Sequence, residues 1–251
     1  MFFIAAIFVF TATAQTKPDA QSIVAKAIQI MGGDRYLQVK TQIGRGRFSS
    51  VREGSVVSSQ TFIDIIDFPD KERTEFRTGG SKTIQTNNGK TGWIFDSDAE
   101  SLRDQNAGQI ENFQRGIRVS LDNLLRGYWK GEAELSYVGR RPATLGKRNE
   151  AIKLTYNDGF VIEFEFADDG TPAKAIYKRK AVDGSDVTEE DRYAQFIDVG
   201  GVKTPFIIDR YTNNAQNSRI NYESVEFNKP IPEGIFSRPS DIKSLKKDLR
   251  I

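Results

Sequence analysis

Apolar residues recur at helical spacing in two segments of the chain. Residues 18–33 place apolar side chains on one helical face, and Gly32-Gly33 supplies a stop. Residues 105–129, QNAGQIENFQRGIRVSLDNLLRGYW, keep three- and four-residue spacing and predict a single amphipathic helix of several turns. The apolar positions are Ile23, Ala27, Ile30 and Met31 in the first segment and Ile110, Phe113, Ile117, Leu121, Leu124 and Tyr128 in the second.

Most of the remaining chain consists of short strand-like runs separated by turn signals. Runs such as QTFIDIIDF, ERTEFRT, KTIQTNN and TGWIFD precede the long helix. Turns at this spacing, without helices between them, predict an antiparallel meander. After the long helix the turns are Asn157-Asp158-Gly159, Asp169-Gly170, Asp183-Gly184, Gly200-Gly201 and Asn213-Asn214.

The first of these turns predicts how two strands pair. A three-residue loop with Gly159 in the left-handed conformation places Leu154 opposite Ile162 and Lys153 opposite Glu163. Tyr156 then faces Phe160, and Ile152 faces Phe164. One face of the pair is therefore apolar and the other is charged.

The second turn sorts the residues in the same way. A two-residue loop at Asp169-Gly170 places Phe166 opposite Ala173 and Glu165 opposite Lys174. Because a one-residue slip would mix the faces, both loops together predict a sheet with one wet face and one dry face. The two helices are the large apolar covers available for the dry face. That face comprises Ile152, Leu154, Tyr156, Phe160, Ile162, Phe164, Phe166, Ala175 and Tyr177.

The amino-acid composition argues against several classes of function. The formal net charge is +2, with both signs spread along the chain, which gives no nucleic-acid footprint. Cysteine is absent, so disulfides do not hold the fold together. Histidine is absent too, which removes the commonest general base and metal ligand. Metal clusters of suitable spacing and serines in a nucleophile elbow are also missing from the sequence, so we expect no catalysis, no cofactor and no metal site.

The N-terminal residues predict export. An apolar run from Phe2 to Phe10 precedes Ala12-Thr13-Ala14, a pattern that signal peptidase accepts, so residues 1–14 are expected to be cleaved before Gln15. The run is too short to span a bilayer. No Lys or Arg precedes it, so either the α-amino group serves alone or the true start lies upstream. We expect a soluble periplasmic protein with one domain over residues 15–251.

The stretch NNGKTGWIFD, residues 87–96, contains a glycine-lysine-threonine triplet of the kind found in phosphate-binding loops. Such a loop requires a glycine five residues before Gly89, where this chain has Ile84, and a helix that begins at the lysine. A hairpin turn at Asn88-Gly89 fits better. Gly44-Arg45-Gly46 likewise lacks the rest of a dinucleotide fingerprint and predicts a strand that bends or is closely approached.

Paired carboxylates are the remaining candidate chemistry. Glu163 and Glu165 lie on one strand face, roughly 7 Å apart by strand geometry, a separation that a glycosidase can use. However, Lys153 and Lys174 are predicted to lie across from them, which favours a solvated ladder of charge pairs. The same interpretation applies to the alternating charges of FPDKERTEFR, which are Lys71, Arg73, Glu75 and Arg77.

The order of motifs resembles the LolA/LolB-like superfamily of periplasmic lipoprotein carriers and their relatives. The resemblance rests on PDKERTEF with Pro69, on KTIQTNN, on NNGKTGWIFD with Trp93, Phe95 and Asp96, on the long helix, and on a meander that ends in VEFNKPIPEGIF. The carriers have an arginine immediately before the proline, whereas this chain has Phe68. That difference puts lipoprotein shuttling in doubt and leaves a general lipid-binding role open.

The resemblance implies an α+β fold, an incomplete antiparallel β-barrel whose concave apolar face is covered by helices and holds an acyl chain. It further implies a non-enzymatic exported protein that binds a lipid or an acylated lipoprotein. An envelope module that binds a protein partner is the alternative. The expected cavity residues are Phe62, Trp93, Phe95, Ile162, Phe164 and Tyr177, and the expected lid residues are Ile117, Leu121 and Leu124.

The C-terminal residues SDIKSLKKDLRI predict a short helix capped by Ser240 or Asp241, with an apolar stripe flanked by basic residues. A basic amphipathic helix of this kind can lie on an anionic membrane. Docking of the stripe on the domain is the favoured alternative. The stripe consists of Ile242, Leu245 and Leu249.

Overall fold

The computed structural model describes residues 19–181, 183–249 and 251, so the predicted signal peptide lies outside the described residues. Thirteen described strands form one antiparallel sheet. They are β1 (Thr41–Arg52), β2 (Ser55–Asp67), β3 (Lys71–Thr78), β4 (Ser81–Asn88), β5 (Thr91–Asp96), β6 (Ser101–Asp104), β7 (Ala133–Pro142), β8 (Arg148–Tyr156), β9 (Val161–Phe166), β10 (Pro172–Lys180), β11 (Asp186–Val199), β12 (Val202–Thr212) and β13 (Ala215–Phe227).

Four α-helices accompany the sheet in the described part of the chain, and short 3₁₀ turns occur at Thr144–Gly146 and Ile242–Ser244. Among these described helices, none has the length and apolar character needed to cross a membrane. The helices are α1 (Ala20–Met31), α2 (Asp34–Leu37), α3 (Ala107–Val119) and α4 (Leu121–Arg126).

The strand order explains how the barrel stays open. Strands β1 and β13 pair at the centre of the sheet, and two meanders extend from them to the edge strands β6 and β7. The chain between these two edges contains α3 and α4, so the helices cross the opening of the barrel. The predicted fold class, an incomplete antiparallel barrel covered by helices, is confirmed.

The first predicted helix is confirmed, and its ends follow from local chemistry. The Asp19 side chain accepts a hydrogen bond from the backbone N–H of Gln21 and so caps α1. The helix ends at Gly32, whose φ of 126° favours glycine. A β-carbon at Gly32 would lie 2.4 Å from the carbonyl oxygen of Gly201, so glycine is also required by the close approach of the turn between β11 and β12.

The second predicted helix is two helices in the structure. Ser120 has an extended backbone, with φ −70° and ψ 147°, and separates α3 from α4. Its hydroxyl accepts a hydrogen bond from the backbone N–H of Asn123, which makes it the N-cap of α4. The prediction of one continuous helix was wrong because apolar spacing runs through Ser120 and hides the cap.

The strand registers follow the predictions except at one turn. Leu154 pairs with Ile162 and Lys153 with Glu163, as expected. Phe166, however, pairs with Pro172 and not with Ala173.

The exception comes from the loop between β9 and β10. The backbone N–H of Ala167 donates to the Thr171 carbonyl, which makes the loop three residues long, from Asp168 to Gly170, where two were predicted. A bulge at Ala173 absorbs the extra residue. Lys174 therefore still pairs with Glu165, as predicted.

Each face of the sheet is covered by another part of the chain, and the two covers lie over different strands. The concave face, which includes Ile152, Phe164 and Tyr177, packs against α1 and α4 over strands β7 to β10. The convex face, which includes Ile43, Ile84 and Trp93, is covered over β1 to β5 by the C-terminal segment, residues 229–249 and 251. The chain thus has a second apolar interface that the hairpin registers did not predict.

The C-terminal segment corrects two predictions. Its predicted helix is only the 3₁₀ turn Ile242–Ser244, and Leu245 is buried on the convex face against Trp93 and Phe95. The apolar stripe therefore docks on the domain, so it is not free to lie on a membrane.

The second correction concerns the charged residues of β3. They were predicted to be solvated, but Arg73 and Glu75 are buried beneath the C-terminal segment and lie 2.6 Å apart. Arg73 also donates to the carbonyl oxygen of Ile235 at 3.0 Å, and the Lys82 ammonium donates to that of Lys247 at 2.7 Å. These cations hold the C-terminal segment to the sheet.

The paired carboxylates of β9 also differ from each other. Glu163 is half-buried and lies 2.5 Å from Arg141, whereas Glu165 is 1% exposed. Glu165 accepts a hydrogen bond from Asn149 and lies 3.5 Å from Lys174. The prediction of a fully wet face was wrong at Glu165, since long neighbouring side chains cover its carboxylate.

Candidate functional site

A groove with a volume of about 770 Å³ lies between the concave face and helix α3. This volume falls in the range of roughly 300–1,000 Å³ that is typical of small-molecule sites. Its floor consists of alternate residues of the central strands, and its roof is α3 with the start of α4. It occupies the part of the concave face that α1 and α4 leave uncovered.

The roof presents apolar side chains to the groove. Phe113 and Ile117 of α3 line it and are only half-buried, because the space beneath the helix is not filled by the sheet. Leu121 of α4 lines the groove at its inner end. Gly116 also lines the groove and is exposed, and a β-carbon there would meet no atom within 4 Å. The roof therefore presents its apolar side chains to open space.

The N-terminal end of α3 is tethered to the first half of the sheet. Asn106 and Gln109 form a reciprocal capping box that begins the helix. Just before it, the Gln105 side-chain amide donates to the carbonyl oxygen of Thr86 at 3.2 Å and to the Asn87 side chain at 3.1 Å. These bonds fix the roof to strand β4.

The C-terminal end of α3 is tethered to the other half of the sheet. The Arg118 guanidinium makes two hydrogen bonds to the Asp158 carboxylate, at 2.8 and 2.9 Å, and stacks 3.8 Å from the centre of the Tyr156 ring. These hydrogen bonds from Arg118 lower the pKa of Asp158 to about 2. Helix α3 is thus a strut held at both ends, with the groove beneath its middle.

One side of the groove is mainly aromatic and aliphatic. Strands β10 to β13 contribute apolar side chains from the sheet face that lies beneath α3. The Tyr222 ring packs edge-on against Phe62, with ring centres 5.4 Å apart. Burial raises the pKa of the Tyr222 and Tyr193 hydroxyls, so both are neutral in the physiological pH range. The apolar side consists of Tyr177, Tyr193, Ile208, Ile220, Tyr222 and Phe227.

The other side of the groove is polar. Asp64 and Glu72 project into it from β2 and β3, on either side of the Thr74 hydroxyl. That hydroxyl lies 2.8 Å from an Asp64 oxygen and 3.3 Å from a Glu72 oxygen. Burial raises the pKa of Asp64, and the Glu72 charge raises it further. Burial also raises the pKa of Glu72.

Helix α4 contacts α2 and the chain segments next to strands β1 and β2 at the mouth of the groove. The Arg126 guanidinium donates to the Asp122 carboxylate at 2.8 Å and to the carbonyl oxygen of Val39 at 2.9 Å. It also stacks on Phe68, 4.5 Å from the ring centre. Tyr36 donates its hydroxyl to Asp122 at 2.8 Å, so the mouth has a connected polar network.

The structure brings only some of the predicted site residues together. Tyr177, Ile117 and Leu121 line the groove. Phe62 lies on the groove face beneath Tyr222. Ile162, Phe164 and Leu124 are buried in the core between the sheet, α1 and α4.

Trp93 and Phe95 lie on the convex face under the C-terminal segment, away from the groove. We expected them to line the same cavity as Tyr177, but the strand pairing places them on the other face of the sheet. Trp93 pairs with Thr86 and Phe95 with Ile84, which places both on the face opposite Gln85 and Asn87 of the groove.

The polar side of the groove was not predicted from the sequence. One signal was available for Asp64, which alternates with Phe62 and Ile66 in QTFIDIIDF and therefore interrupts an apolar strand face. No comparable local signal marks Arg210 or Asp191, which reach the groove from β12 and β11. In the described part of the chain, no group of three or more Asp, Glu, His or Cys residues has the geometry to hold a metal ion.

Comparisons with known proteins support the fold. No family model and no curated protein sequence matches the chain. Solved structures with the same fold include a DUF1329 family protein from Desulfovibrio piger, with a TM-score of 0.61, 13% identity, and coverage of 86% of this chain and 96% of that one.

Two further structures carry the LolA connection. A LolA superfamily protein from Nitrosomonas europaea has a TM-score of 0.58 and 15% identity, with coverage of 88% and 98% of the two chains. A Vibrio parahaemolyticus domain described as an outer membrane lipoprotein-sorting protein has a TM-score of 0.57 and 9% identity, with coverage of 91% and 100%. The chain therefore has a LolA-like fold.

Proposed function

We propose that the protein is an exported, non-enzymatic carrier or binding protein that holds the acyl chain of a lipid or lipoprotein in the groove beneath α3. The observation that carries the proposal is the half-buried apolar face of α3. Phe113 and Ile117 line a space of about 770 Å³, and their side chains are only half-buried. An apolar ligand chain would complete their burial.

The free energy gained by burying such an acyl chain is large enough to support binding. Burying an acyl chain gains about 0.8 kcal/mol per CH₂, so a chain of about 14 carbons offers on the order of 11 kcal/mol before ordering costs are subtracted. The ligand-contacting residues in this proposal are Phe113, Ile117, Leu121, Tyr177, Ile208 and Ile220.

The fold and the chain's N-terminal sequence support the cellular setting. Solved relatives in fold include a domain described as an outer membrane lipoprotein-sorting protein, and residues 1–14 have the pattern of a cleavable export signal. We place the mature protein, residues 15–251, in the periplasm as a single domain. Its partners in this proposal are a lipid or an acylated lipoprotein.

Native mass spectrometry of the protein purified from its own cell envelope tests this function. The proposal predicts a mass increment that corresponds to one lipid or acylated peptide and that disappears after delipidation. A stoichiometric protein partner with no lipid would instead favour a protein-binding envelope module.

A further inference from the structure

The groove has an unequal distribution of charge that the binding of a plain acyl chain does not explain. We propose that its ligand is an amphiphile with a protonated amine in its polar head, and that Asp64 and Glu72 hold this amine while the apolar chain lies under α3. This inference rests on the proposed function, since it names the ligand class of the same groove.

Hydrogen-bond donors are scarce around Asp64 and Glu72. The Thr74 hydroxyl lies within hydrogen-bond distance of both Asp64 and Glu72, but a hydroxyl has a single hydrogen. It therefore satisfies one of these carboxyl groups at a time, and the remaining hydrogen bond is the one that the two carboxyl groups make to each other. An ammonium group has three donors and can bind both carboxyls at once.

Positive charge is also scarce beside these carboxyl groups. Arg210 of β12 is the cation whose field acts on both Asp64 and Glu72. The same guanidinium lies 3.7 Å from the Asp191 carboxylate of β11. One guanidinium thus faces three carboxyl groups. A buried carboxylate is costly unless it is paired, so this side of the groove is suited to a cation.

Among the other charged residues that line the groove, Lys203 is exposed, and the following have partners of their own. Arg126 and Asp122 pair with each other at the mouth. Glu189 pairs with Arg179 at 2.6 Å, and Arg115 of the roof lies 3.6 Å from Glu111. Asp64 and Glu72, by contrast, form no ion pair among the described residues, and they lie opposite the apolar side that contains Tyr193 and Ile208.

The distribution of side chains gives the ligand a direction. Polar groups of β2, β3 and β4 line one side, and aromatic and aliphatic groups of β10 to β13 line the other, beneath Phe113 and Ile117. A head group at Asp64 can therefore continue into a chain that crosses the floor under α3. A purely apolar ligand would desolvate both carboxyl groups and would add no donor to the Thr74 hydroxyl and Arg210, which already face them.

Competition with three amphiphiles of equal chain length tests the inference. Dodecylamine, dodecanol and dodecanoate are titrated at neutral pH against a bound fluorescent acyl probe. A charge-assisted hydrogen bond contributes about 1.5–3 kcal/mol, so dodecylamine is expected to bind about tenfold or more tightly than dodecanol. Dodecanoate is expected to bind more weakly than either.

The decisive variant is Asp64→Asn combined with Glu72→Gln, which keeps side-chain size and removes both charges. It should still bind dodecanol, but its preference for dodecylamine should fall to within about twofold. Asp209→Asn is the control, because Asp209 lies on β12 between Ile208 and Arg210 and therefore faces away from the groove. This control should keep the wild-type preference.

Three outcomes would overturn the inference. Equal binding of amine and alcohol by the wild type would remove the amine site and leave the lipid-binding function standing. A preference for the amine that survives in the double variant would place the amine elsewhere. Failure of all three amphiphiles to displace the probe, or of the probe to bind, would remove both the inference and the proposed function.

Discussion

The indole nitrogen of Trp93 donates a hydrogen bond to the backbone carbonyl oxygen of Phe236 at 3.2 Å. This bond joins strand β5 to the C-terminal segment on the convex face. The tryptophan on which the family resemblance partly rests is therefore part of a structural interface and does not contact the groove. The buried apolar residues of the sheet lie on both of its faces. The helices cover one face and the C-terminal segment covers the other.

Leu245→Ala tests this second cover. Leu245 is 5% exposed and packs with Ile84, Trp93 and Phe95. Truncation of a buried leucine costs about 2–5 kcal/mol, which lowers the melting temperature of a chain this size by roughly 4–20 °C. Lys243→Ala, at an exposed site on the same segment, should change stability by less than about 0.5 kcal/mol. Equal melting temperatures for the two variants would contradict the docking.

Glu165→Ala and Glu163→Ala form a matched pair on one strand. Loss of the Glu165 carboxylate leaves Asn149 without its acceptor and Lys174 with Glu190, at 3.8 Å, as its remaining ion-pair partner, so we expect a cost of about 2–3 kcal/mol. Loss of Glu163, which is half-buried and pairs with Arg141, should cost about 0–1 kcal/mol. Chemical denaturation measures both values. The reverse ranking would show that Glu165 is solvated as the sequence suggested.

Asp64→Asn should stabilise the protein in a pH-dependent way. Burial raises the pKa of Asp64 in the folded state, so the folded state binds the proton more readily than the unfolded chain does. The resulting penalty is present above the folded-state pKa and is absent below the unfolded value of about 3.9.

The gain in unfolding free energy from Asp64→Asn is therefore expected to be larger at pH 8, at about 1–3 kcal/mol, than at pH 4. Thermal melts of wild type and variant at both pH values measure it. Asp209→Asn, which removes the partner of Arg219 on the opposite face, should give no gain at either pH. A gain that grew as the pH fell would contradict a raised pKa at Asp64.

Local patterns predicted the second half of the sheet because its turns have strong sequence signals. Gly159, with φ of 86°, fixes the β8–β9 loop, and the pairing of Leu154 with Ile162 follows from it. The pattern at Asp169-Gly170 predicted the correct pairing of Glu165 with Lys174 from a loop that is one residue too short. The pairing is still correct because the bulge at Ala173 absorbs the extra loop residue.

Long-range contacts could not be read from local patterns. The alternation in β3 shows that Arg73 and Glu75 share a face. It does not show that residues more than 150 positions later in the chain cover that face. Arg73, for example, binds the carbonyl of Ile235. The groove depends on the same kind of contact, because Asp64 and Arg210 meet only when β1 pairs with β13. The sequence therefore predicted the apolar groove residues Tyr177, Ile117 and Leu121 and missed its polar side.

Binding of a fluorescent fatty-acyl probe to Gly116→Trp tests the central claim most directly. A β-carbon at Gly116 meets no atom within 4 Å, and the position lines the groove, so a tryptophan there should occupy the ligand's space without disturbing the core. Glu111→Trp, at an exposed position on the same helix, is the matched control. The account predicts saturable binding by the wild type and by Glu111→Trp, and at least tenfold weaker binding, about 1.4 kcal/mol, by Gly116→Trp with unchanged thermal stability. Equal binding by all three proteins would contradict a ligand site beneath α3.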